Sequence, residues 1–176
     1  MKRVVIIGSG GHGRVVYDTI KKCGELNVVG FIDQNLPVGT NIIDDCKVVI
    51  SQKELEKLSD ITDFFIVAIG NNIVRNSVFL EASNYCKPIT IIHPSVSIAR
   101  DVEIKEGTLI LSNSTISTGV KIGENTIINS NVVIDHDSNI GKNVHLKIGT
   151  LIGSNSTISD FLTTNIGENV LEFSTK

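Results

Sequence analysis

The sequence predicts an α/β domain of the Rossmann type over residues 1–90 and a parallel β-helix over residues 91–176. Two observations support this prediction. A glycine-rich turn lies between an apolar segment and a helical pattern near the N-terminus, and an aliphatic residue recurs at every sixth position in the second half of the chain. The first pattern is typical of nucleotide-binding α/β units, and the second of hexapeptide-repeat solenoids.

Composition excludes several classes of protein. The 176 residues have a net charge of −3, with 41% hydrophobic and 20% charged residues, as expected for a soluble globular protein. No apolar run is long enough to span a membrane, the N-terminal apolar run is too short for a signal peptide, and no Lys/Arg cluster indicates nucleic-acid binding. Cys23, Cys46 and Cys86 form no CxxC pair, so neither a disulfide framework nor a metal site is predicted. We therefore expect a cytoplasmic protein.

The six-residue period is unbroken over twelve repeats. Its aliphatic positions are Ile92, Ile98, Ile104, Ile110, Ile116, Ile122, Ile128, Ile134, Ile140, Leu146, Ile152 and Ile158. Such a period fits neither an α-helix nor an ordinary strand. The fourth residue after each aliphatic is usually small or β-branched, which suits a narrow interior. Three hexapeptides make one coil of a triangular prism, so we expect about four coils.

The N-terminal segments form a strand, turn, helix and strand. Residues 2–7 are predicted as a buried strand, 8–13 as a turn, 14–23 as a helix and 26–33 as a second strand. The turn, G-S-G-G-H-G, matches G-x-G-x-x-G in the context that gives this motif its meaning. Backbone N–H groups there can approach a phosphate. The alternative is a turn whose glycines serve only steric needs.

Polar residues follow the second and third predicted strands. Asp33 and Gln34 end the second strand, where a carboxylate could hydrogen-bond a ribose or a base; the alternative is that Asp33 caps a loop. The third strand, 64–69, is followed by Gly70 and Asn71. Asparagine there would face the ligand crevice of an α/β sheet, or would cap the next helix.

Three further segments complete the predicted order. S-Q-K-E from Ser51 is a capping box that opens a helix through Leu58. A helix is predicted over 73–85, and 87–92 as the last strand before the repeats. His93, which follows it, is interpreted as structural.

His136 is the candidate catalytic residue, because it lies between two carboxylates in Asp135-His136-Asp137. A neighbouring carboxylate can fix the tautomer of an exposed imidazole and raise its basicity, as a general base requires. The alternative is a solvated surface loop. His145, nine residues on, should lie on another face of the same prism, so that the two imidazoles could meet only across subunits of a trimer.

The motifs together resemble one known family. The GSGGHG turn, AIGNN, IHPS and INSNVVIDHDSNIGKNVHL are similar to the sugar O-acyltransferase family. That family includes sialic-acid O-acetyltransferases and the UDP-4-amino-sugar N-acetyltransferases of bacillosamine synthesis. The resemblance covers residue 3 to about residue 146. It implies that the β-helix is left-handed and that the N-terminal domain binds a nucleotide-sugar.

The resemblance also implies roles for particular residues. His136 would be the base, Asp137 the carboxylate that orients it, and Asn129 an active-site asparagine. His145 and Lys147 would contact acetyl-CoA in a groove between adjacent prisms. The nucleotide-sugar would be held by Gly10, Gly11, His12, Asp33, Gln34, Gly70 and Asn71.

The expected function is acetyl transfer from acetyl-CoA to a nucleotide-activated or sialic-acid-like sugar, in surface glycan biosynthesis. An amine or a hydroxyl would attack the thioester directly, within a homotrimer. One rival is a non-catalytic nucleotide-sugar-binding or assembly protein that has lost CoA binding. A weaker rival is an NAD-dependent oxidoreductase that uses the glycine turn.

The C-terminal part departs from the family pattern. K-I-G at 147–149 follows Leu146 about two hexapeptides earlier than in the family. The repeat register is expected to fail at Thr164 and to resume at Ile166. Because these two hexapeptides and the family's C-terminal strand are missing, we expect an incomplete wall for CoA and weak acetyl-CoA binding.

Overall fold

The computed structural model describes all residues from Met1 to Lys176. The chain divides into two compact units, Met1–Ile89 and Thr90–Lys176. None of its helices is long and apolar enough to cross a membrane.

The first unit is an α/β unit around a six-stranded sheet of order β3-β4-β2-β1-β5-β6, in which only the β3–β4 pair is antiparallel. Its strands are β1 (Lys2–Ile7), β2 (Leu26–Asp33), β3 (Asn41–Ile43), β4 (Cys46–Ser51), β5 (Phe64–Val67) and β6 (Lys87–Pro88). Its helices are α1 (Gly11–Cys23), a 3₁₀ segment (Gln52–Lys57), α2 (Leu58–Ile61) and α3 (Asn72–Ser83).

Strand β1 forms the centre of this unit. Val4, Val5, Ile6 and Ile7 are fully buried, as expected for a parallel strand that is covered on both faces. The run of apolar residues in the sequence reflects this burial, because neither face of the strand needs polar side chains. The ends of β1, β2 and β5 are thereby fixed at one edge of the sheet.

Local structure in the first unit differs from the prediction in several places. Helix α1 begins at Gly11, inside the predicted turn, with Gly10 as its N-cap. The β3–β4 hairpin was not predicted, because β3 has only three residues and none of them is buried. The capping box at Ser51 is confirmed, but it opens a 3₁₀ segment that continues through α2 to Ile61.

The predicted last strand, 87–92, is divided between the two units. Lys87–Pro88 pairs with β5 in the α/β sheet, whereas Ile91–Ile92 is the first strand of the second unit. The change of unit falls between Ile89 and Thr90.

The second unit is a left-handed β-helix with three flat faces. The first face contains β7, β10, β13 and β16, the second β8, β11, β14, β17 and β19, and the third β9, β12, β15 and β18. The strands are β7 (Ile91–Ile92), β8 (Ser97–Ile98), β9 (Glu103–Ile104), β10 (Leu109–Ile110), β11 (Thr115–Ile116), β12 (Lys121–Ile122), β13 (Ile127–Ile128), β14 (Val133–Ile134), β15 (Asn139–Ile140), β16 (His145–Leu146), β17 (Leu151–Ile152), β18 (Thr157–Ile158) and β19 (Asn169–Val170).

The second residue of each strand points into the prism and forms its core. Ile110, Ile128 and Leu146, for example, are fully buried. The small residues four positions later also point inward, and their hydroxyl groups are hydrogen-bonded. Thr126 Oγ1 donates to Gly141 O at 3.0 Å, and Ser138 Oγ donates to Gly153 O at 3.0 Å. These bonds remove the cost of burying a hydroxyl group in an apolar interior.

The corners of the prism lie at every sixth residue from 107 to 173, and each corner residue has a left-handed backbone. The corner residues are Gly107, Asn113, Gly119, Asn125, Asn131, Asp137, Asn143, Gly149, Asn155, Phe161, Gly167 and Phe173. Gly, Asn and Asp adopt this conformation most readily. Phe161 (φ 62°) and Phe173 (φ 55°) are exceptions in the last two coils.

The predicted failure of the register at Thr164 is wrong. Thr164 is buried in the interior position, and Val170, six residues later, is also buried, whereas Ile166 is 75% exposed. Thr164 Oγ1 hydrogen-bonds Thr150 Oγ1 and accepts from Lys147 N, both at 2.8 Å, so a polar residue fills an aliphatic position. A partial fifth coil, which includes β19, therefore covers the fourth. The expectation of weak acetyl-CoA binding stays a prediction.

Candidate functional site

An open cleft of about 350 Å³ lies at the carboxyl ends of β1, β2 and β5, and we call it the glycine-turn cleft. It is lined by Gly8, Ser9, Gly10, Gly11, His12, Asp33, Gln34, Asn35, Gln52, Ala68, Ile69, Gly70 and Val74. The structure therefore brings together all the predicted nucleotide-sugar residues except Asn71.

The glycines of the turn have two different roles. A side chain at Gly13 would overlap the carbonyl oxygen of Gly8, and Gly8 itself has a φ of +108° with Ala68 O 2.8 Å from where its Cβ would be. These two glycines are needed by the fold. At Gly10 and Gly11, by contrast, an added Cβ would meet nothing within 4 Å. The steric alternative thus explains Gly8 and Gly13 but not Gly10 and Gly11.

The cleft is suited to an anion at the glycine turn. Helix α1 begins at Gly11 and has no acidic residue in its first turn, and its N-cap residue has no side chain that could occupy the first N–H groups. The N-terminus of a helix attracts negative charge through these groups and through the helix dipole. With no side chains at positions 10 and 11, a phosphate could approach the backbone closely.

Asp33 organises the cleft from within. Its Oδ1 accepts from Asn35 N at 2.8 Å and Leu36 N at 3.0 Å, and its Oδ2 accepts from the hydroxyl and the N–H of Ser9. Burial opposes ionisation of this carboxyl, but the hydrogen bonds outweigh it and hold the pKa of Asp33 below its usual value. Asp33 thus caps its loop, which is one of the two interpretations of this residue. Through Ser9 it also fixes the glycine turn to the end of β2.

Asn71, which precedes α3, and Arg75, in its first turn, hold the segment that includes Gly70 of the cleft. Asn71 is the N-cap of α3, since its Oδ1 accepts from Val74 N at 3.0 Å. Of the two interpretations of Asn71, a ligand contact or a helix cap, the structure supports the helix cap. Arg75 is fully buried and donates to Ile69 O at 3.0 Å and Gly70 O at 3.4 Å. Burial lowers the pKa of its guanidinium to about 10. No pattern in the sequence indicated Arg75 as part of the site, because arginine on a helix is usually exposed.

His136 lies at the corner that follows the second face of the β-helix. Its Nδ1 is 2.8 Å from Asp137 Oδ2, its backbone N donates to Asp135 Oδ1 at 2.7 Å, and its carbonyl accepts from Asn155 N at 3.0 Å. Asp137 has the left-handed corner conformation (φ 58°), which turns its carboxylate back toward the imidazole. With Nδ1–H donated to Asp137, Nε2 is the basic nitrogen.

The surroundings of His136 favour its protonated form. The hydrogen bond that the imidazole donates to Asp137 raises its pKa most; desolvation opposes this, and the charges of Asp135, Asp137 and Glu172 raise the pKa further. The His136 side chain is 47% exposed, so an acceptor molecule can reach it.

The other predicted catalytic and cofactor residues lie elsewhere in the coil. Asn129 and Lys147 are stacked at the opposite edge of the second face, one coil apart, where Asn129 N donates to Leu146 O at 3.0 Å. The hydrogen bonds of Asn129 do not include His136. His145 lies on the first face, in β16, and is only 4% exposed. Within one chain, therefore, the structure does not join His145 to His136.

A groove of about 660 Å³ runs along the second face beside His136, and we call it the second-face groove. Val133, Leu151, Leu171 and Phe173 give it an apolar wall and are 38%, 45%, 77% and 76% exposed. Asp135 and Glu172 are its charged residues. The sequence did not indicate this groove, because its walls come from coils that are 18 residues apart in the chain.

Two family models match the chain. Residues 3–82 match the family described as the PglD N-terminal domain, and residues 68–172 match the GMPPB C-terminal domain. A curated relative, UDP-N-acetylbacillosamine N-acetyltransferase of Bacillus subtilis (strain 168), is 31% identical over 114 residues, which cover 61% of this chain. The alignment spans about half the length of that relative.

Solved structures of similar proteins cover the whole chain. A variant of perosamine N-acetyltransferase from Caulobacter crescentus, in complex with CoA and GDP-perosamine, has a TM-score of 0.85 and 25% identity, over 100% of this chain and 92% of that one. The acetyltransferase domain of PglB from Neisseria gonorrhoeae FA1090, in complex with acetyl coenzyme A, has a TM-score of 0.75 and 24% identity, over 99% and 87% of the two chains.

These matches confirm the resemblance to the UDP-4-amino-sugar N-acetyltransferases and the predicted fold class of both units. Because the second family model covers more than half of the chain, the chain belongs to the family described as the GMPPB C-terminal domain, and its residues 3–82 are similar to the PglD N-terminal domain.

Proposed function

We propose that this protein is an N-acetyltransferase that transfers the acetyl group of acetyl-CoA to the amine of a nucleotide-linked amino sugar. The observation that supports it most is the hydrogen-bonded pair His136–Asp137, exposed at a corner beside the second-face groove. The similar solved structure with CoA and GDP-perosamine is that of a perosamine N-acetyltransferase. We further propose that the protein is cytoplasmic and acts in surface glycan biosynthesis.

The proposed reaction is a direct transfer. His136 Nε2 takes a proton from the acceptor amine as its nitrogen attacks the thioester carbon of acetyl-CoA. The new C–N bond forms, the C–S bond breaks, and the proton held by His136 passes to the CoA thiolate, which leaves as the thiol. Asp137 holds the imidazole in the tautomer that leaves Nε2 basic and stabilises the imidazolium. No covalent enzyme intermediate is required.

The glycine-turn cleft would bind the nucleotide part of the acceptor. Gly10 and Gly11 would leave room for the diphosphate at the N-terminus of α1, and His12, Gln34 and Gly70 would contact the rest of the nucleotide-sugar. Asp33, whose oxygens already accept from Ser9, Asn35 and Leu36, would keep these groups in place.

A homotrimer would complete the proposed site. His136 and His145 lie on different faces of one prism, so acetyl-CoA could meet both, together with Asn129 and Lys147, only where two prisms adjoin. We therefore expect a mass three times that of the 19.0 kDa chain by light scattering at micromolar concentration. A monomer mass under these conditions would contradict a site shared between two subunits.

The acceptor class is tested directly by an acetylation assay. The protein is incubated with acetyl-CoA and a panel of UDP- and GDP-linked 4-amino-sugars, sialic acids and sugars that lack an amine, and free thiol is measured. We expect thiol release with one or more nucleotide-linked amino sugars. Release only with sialic acids would indicate O-acetylation, and no release with any sugar would favour a nucleotide-sugar-binding protein without catalytic activity.

A further inference from the structure

Glu172 lies on the same corner of the β-helix as His136, two coils further along the chain. Consecutive coils are joined there by backbone hydrogen bonds: Asn155 N donates to His136 O at 3.0 Å, and Phe173 N donates to Ser154 O at 2.9 Å. The two residues occupy equivalent positions, each directly before a left-handed corner residue, Asp137 or Phe173.

The coil between them has a glycine where a side chain would obstruct Glu172. A Cβ added to Gly153 would lie 3.0 Å from Cγ of Glu172 and 2.6 Å from its backbone nitrogen. The Glu172 side chain therefore lies across Gly153, and it lines the second-face groove together with Asp135. Its charge acts on the imidazole of His136.

The charges that face His136 all have the same sign. They are the carboxylates of Asp135, Asp137 and Glu172. No lysine or arginine lines the groove. Lys176, on the last coil, forms an ion pair with Glu168. A cation that entered this end of the groove would therefore meet carboxylates alone.

We propose that Glu172 is a specificity-determining residue: its carboxylate, held across Gly153 beside Asp135, receives the acceptor as an ammonium ion and so favours amino sugars over sugar hydroxyls. This inference rests on the proposed function. A primary amine is largely protonated near neutral pH, so an acceptor amine would arrive as a cation, whereas a hydroxyl group is neutral and gains little from the carboxylate.

The protons balance in this reaction. The ammonium group gives one proton to His136 Nε2, which releases it to solvent. A second proton leaves with the CoA thiolate as the C–N bond forms and the C–S bond breaks, and the third remains on the amide nitrogen. Glu172 takes no proton, and its role is to position the cation beside the base.

The test compares Glu172→Gln with Glu103→Gln. Both variants remove one negative charge from an exposed glutamate, but Glu103 lies on the third face beside Lys121. In Glu172→Gln at low ionic strength, we expect the KM for the amino sugar to rise about 3- to 10-fold with kcat little changed, and this effect to shrink as salt is added. Glu103→Gln should match the wild type.

A second measurement needs no substrate. NMR titration of the His136 imidazole should show a lower pKa in Glu172→Gln than in the wild type, since a carboxylate that favours the imidazolium has been removed, and no such change in Glu103→Gln. If Glu172→Gln leaves both the KM and this pKa at their wild-type values, the inference is overturned. If the wild type acetylates no sugar, the proposed function fails, and the imidazole titration alone then decides whether Glu172 acts on His136.

Discussion

Replacement of His136 by asparagine should lower kcat by about 10²- to 10⁴-fold, the range usually lost with a general base. The side chain is about half exposed and forms its one side-chain hydrogen bond with Asp137, so the thermal unfolding temperature should stay close to that of the wild type. Steady-state acetylation and a thermal melt on the same sample measure both quantities. A variant that kept near-full turnover would show that another group is the base.

The pH dependence gives a control for this result. Activity requires neutral His136, and its pKa is raised, so the acid limb of kcat/KM in the wild type should lie above about 6.5. Asp137→Asn keeps a residue that tolerates the left-handed corner but removes the main cause of the raised pKa. We expect a smaller loss of kcat than for His136→Asn and an acid limb displaced to lower pH. An unchanged limb would mean that Asp137 does not act on the base.

Replacement of Gly13 by alanine should have the largest effect on stability. The new methyl group would overlap the carbonyl oxygen of Gly8, which is backbone and cannot move aside without disturbing β1 or α1. We expect a loss of at least about 3 kcal/mol, at the upper end of overpacking costs, and unfolding of the first unit in chemical denaturation. Wild-type stability in this variant would show that the turn can relax, and that Gly8 and Gly13 are not held as closely together as the structure indicates.

Gly11→Ala is the matched variant, since it adds the same methyl group to the same helix, in open space. Alanine is favoured over glycine in a helix by up to about 1 kcal/mol, so the fold should be retained or slightly stabilised. If the cleft binds a nucleotide-sugar diphosphate, the thermal shift produced by UDP in the wild type should be lost in Gly11→Ala, and NAD should produce none in either protein. Equal shifts with NAD would instead revive the oxidoreductase interpretation.

The β-helix was predictable because its period is a direct consequence of its geometry. Every sixth residue must point inward, so the aliphatic column and the corner asparagines are visible in the sequence before any contact is known. Thr164 shows the limit of this reasoning. In a search for periodic hydrophobic residues, the polar Thr164 looks like an interruption of the repeat. Its hydrogen bonds to Thr150 and Lys147 nevertheless allow it to fill the interior position.

The candidate sites were predictable where they are local in sequence. Asp135, His136 and Asp137 are adjacent, and the glycine turn is a single short segment, so both could be singled out from the residues alone. The approach of Glu172 to His136, and the groove between Val133 and Leu171, depend on which coils are stacked. Arg75 was missed for a different reason, because its burial depends on the packing of α3 and not on any motif.

The stacked corners make the 18-residue coil the natural unit in which this chain can change length. An insertion of six residues between His136 and Glu172 would shift all later strands to the neighbouring face, and the two residues would no longer share a corner. Insertion of a whole coil before residue 128 would instead keep every later residue on its own face and raise it by about 4.8 Å along the axis. Duplication of whole coils could therefore lengthen the β-helix one coil at a time, while the corner that bears the proposed base stays intact.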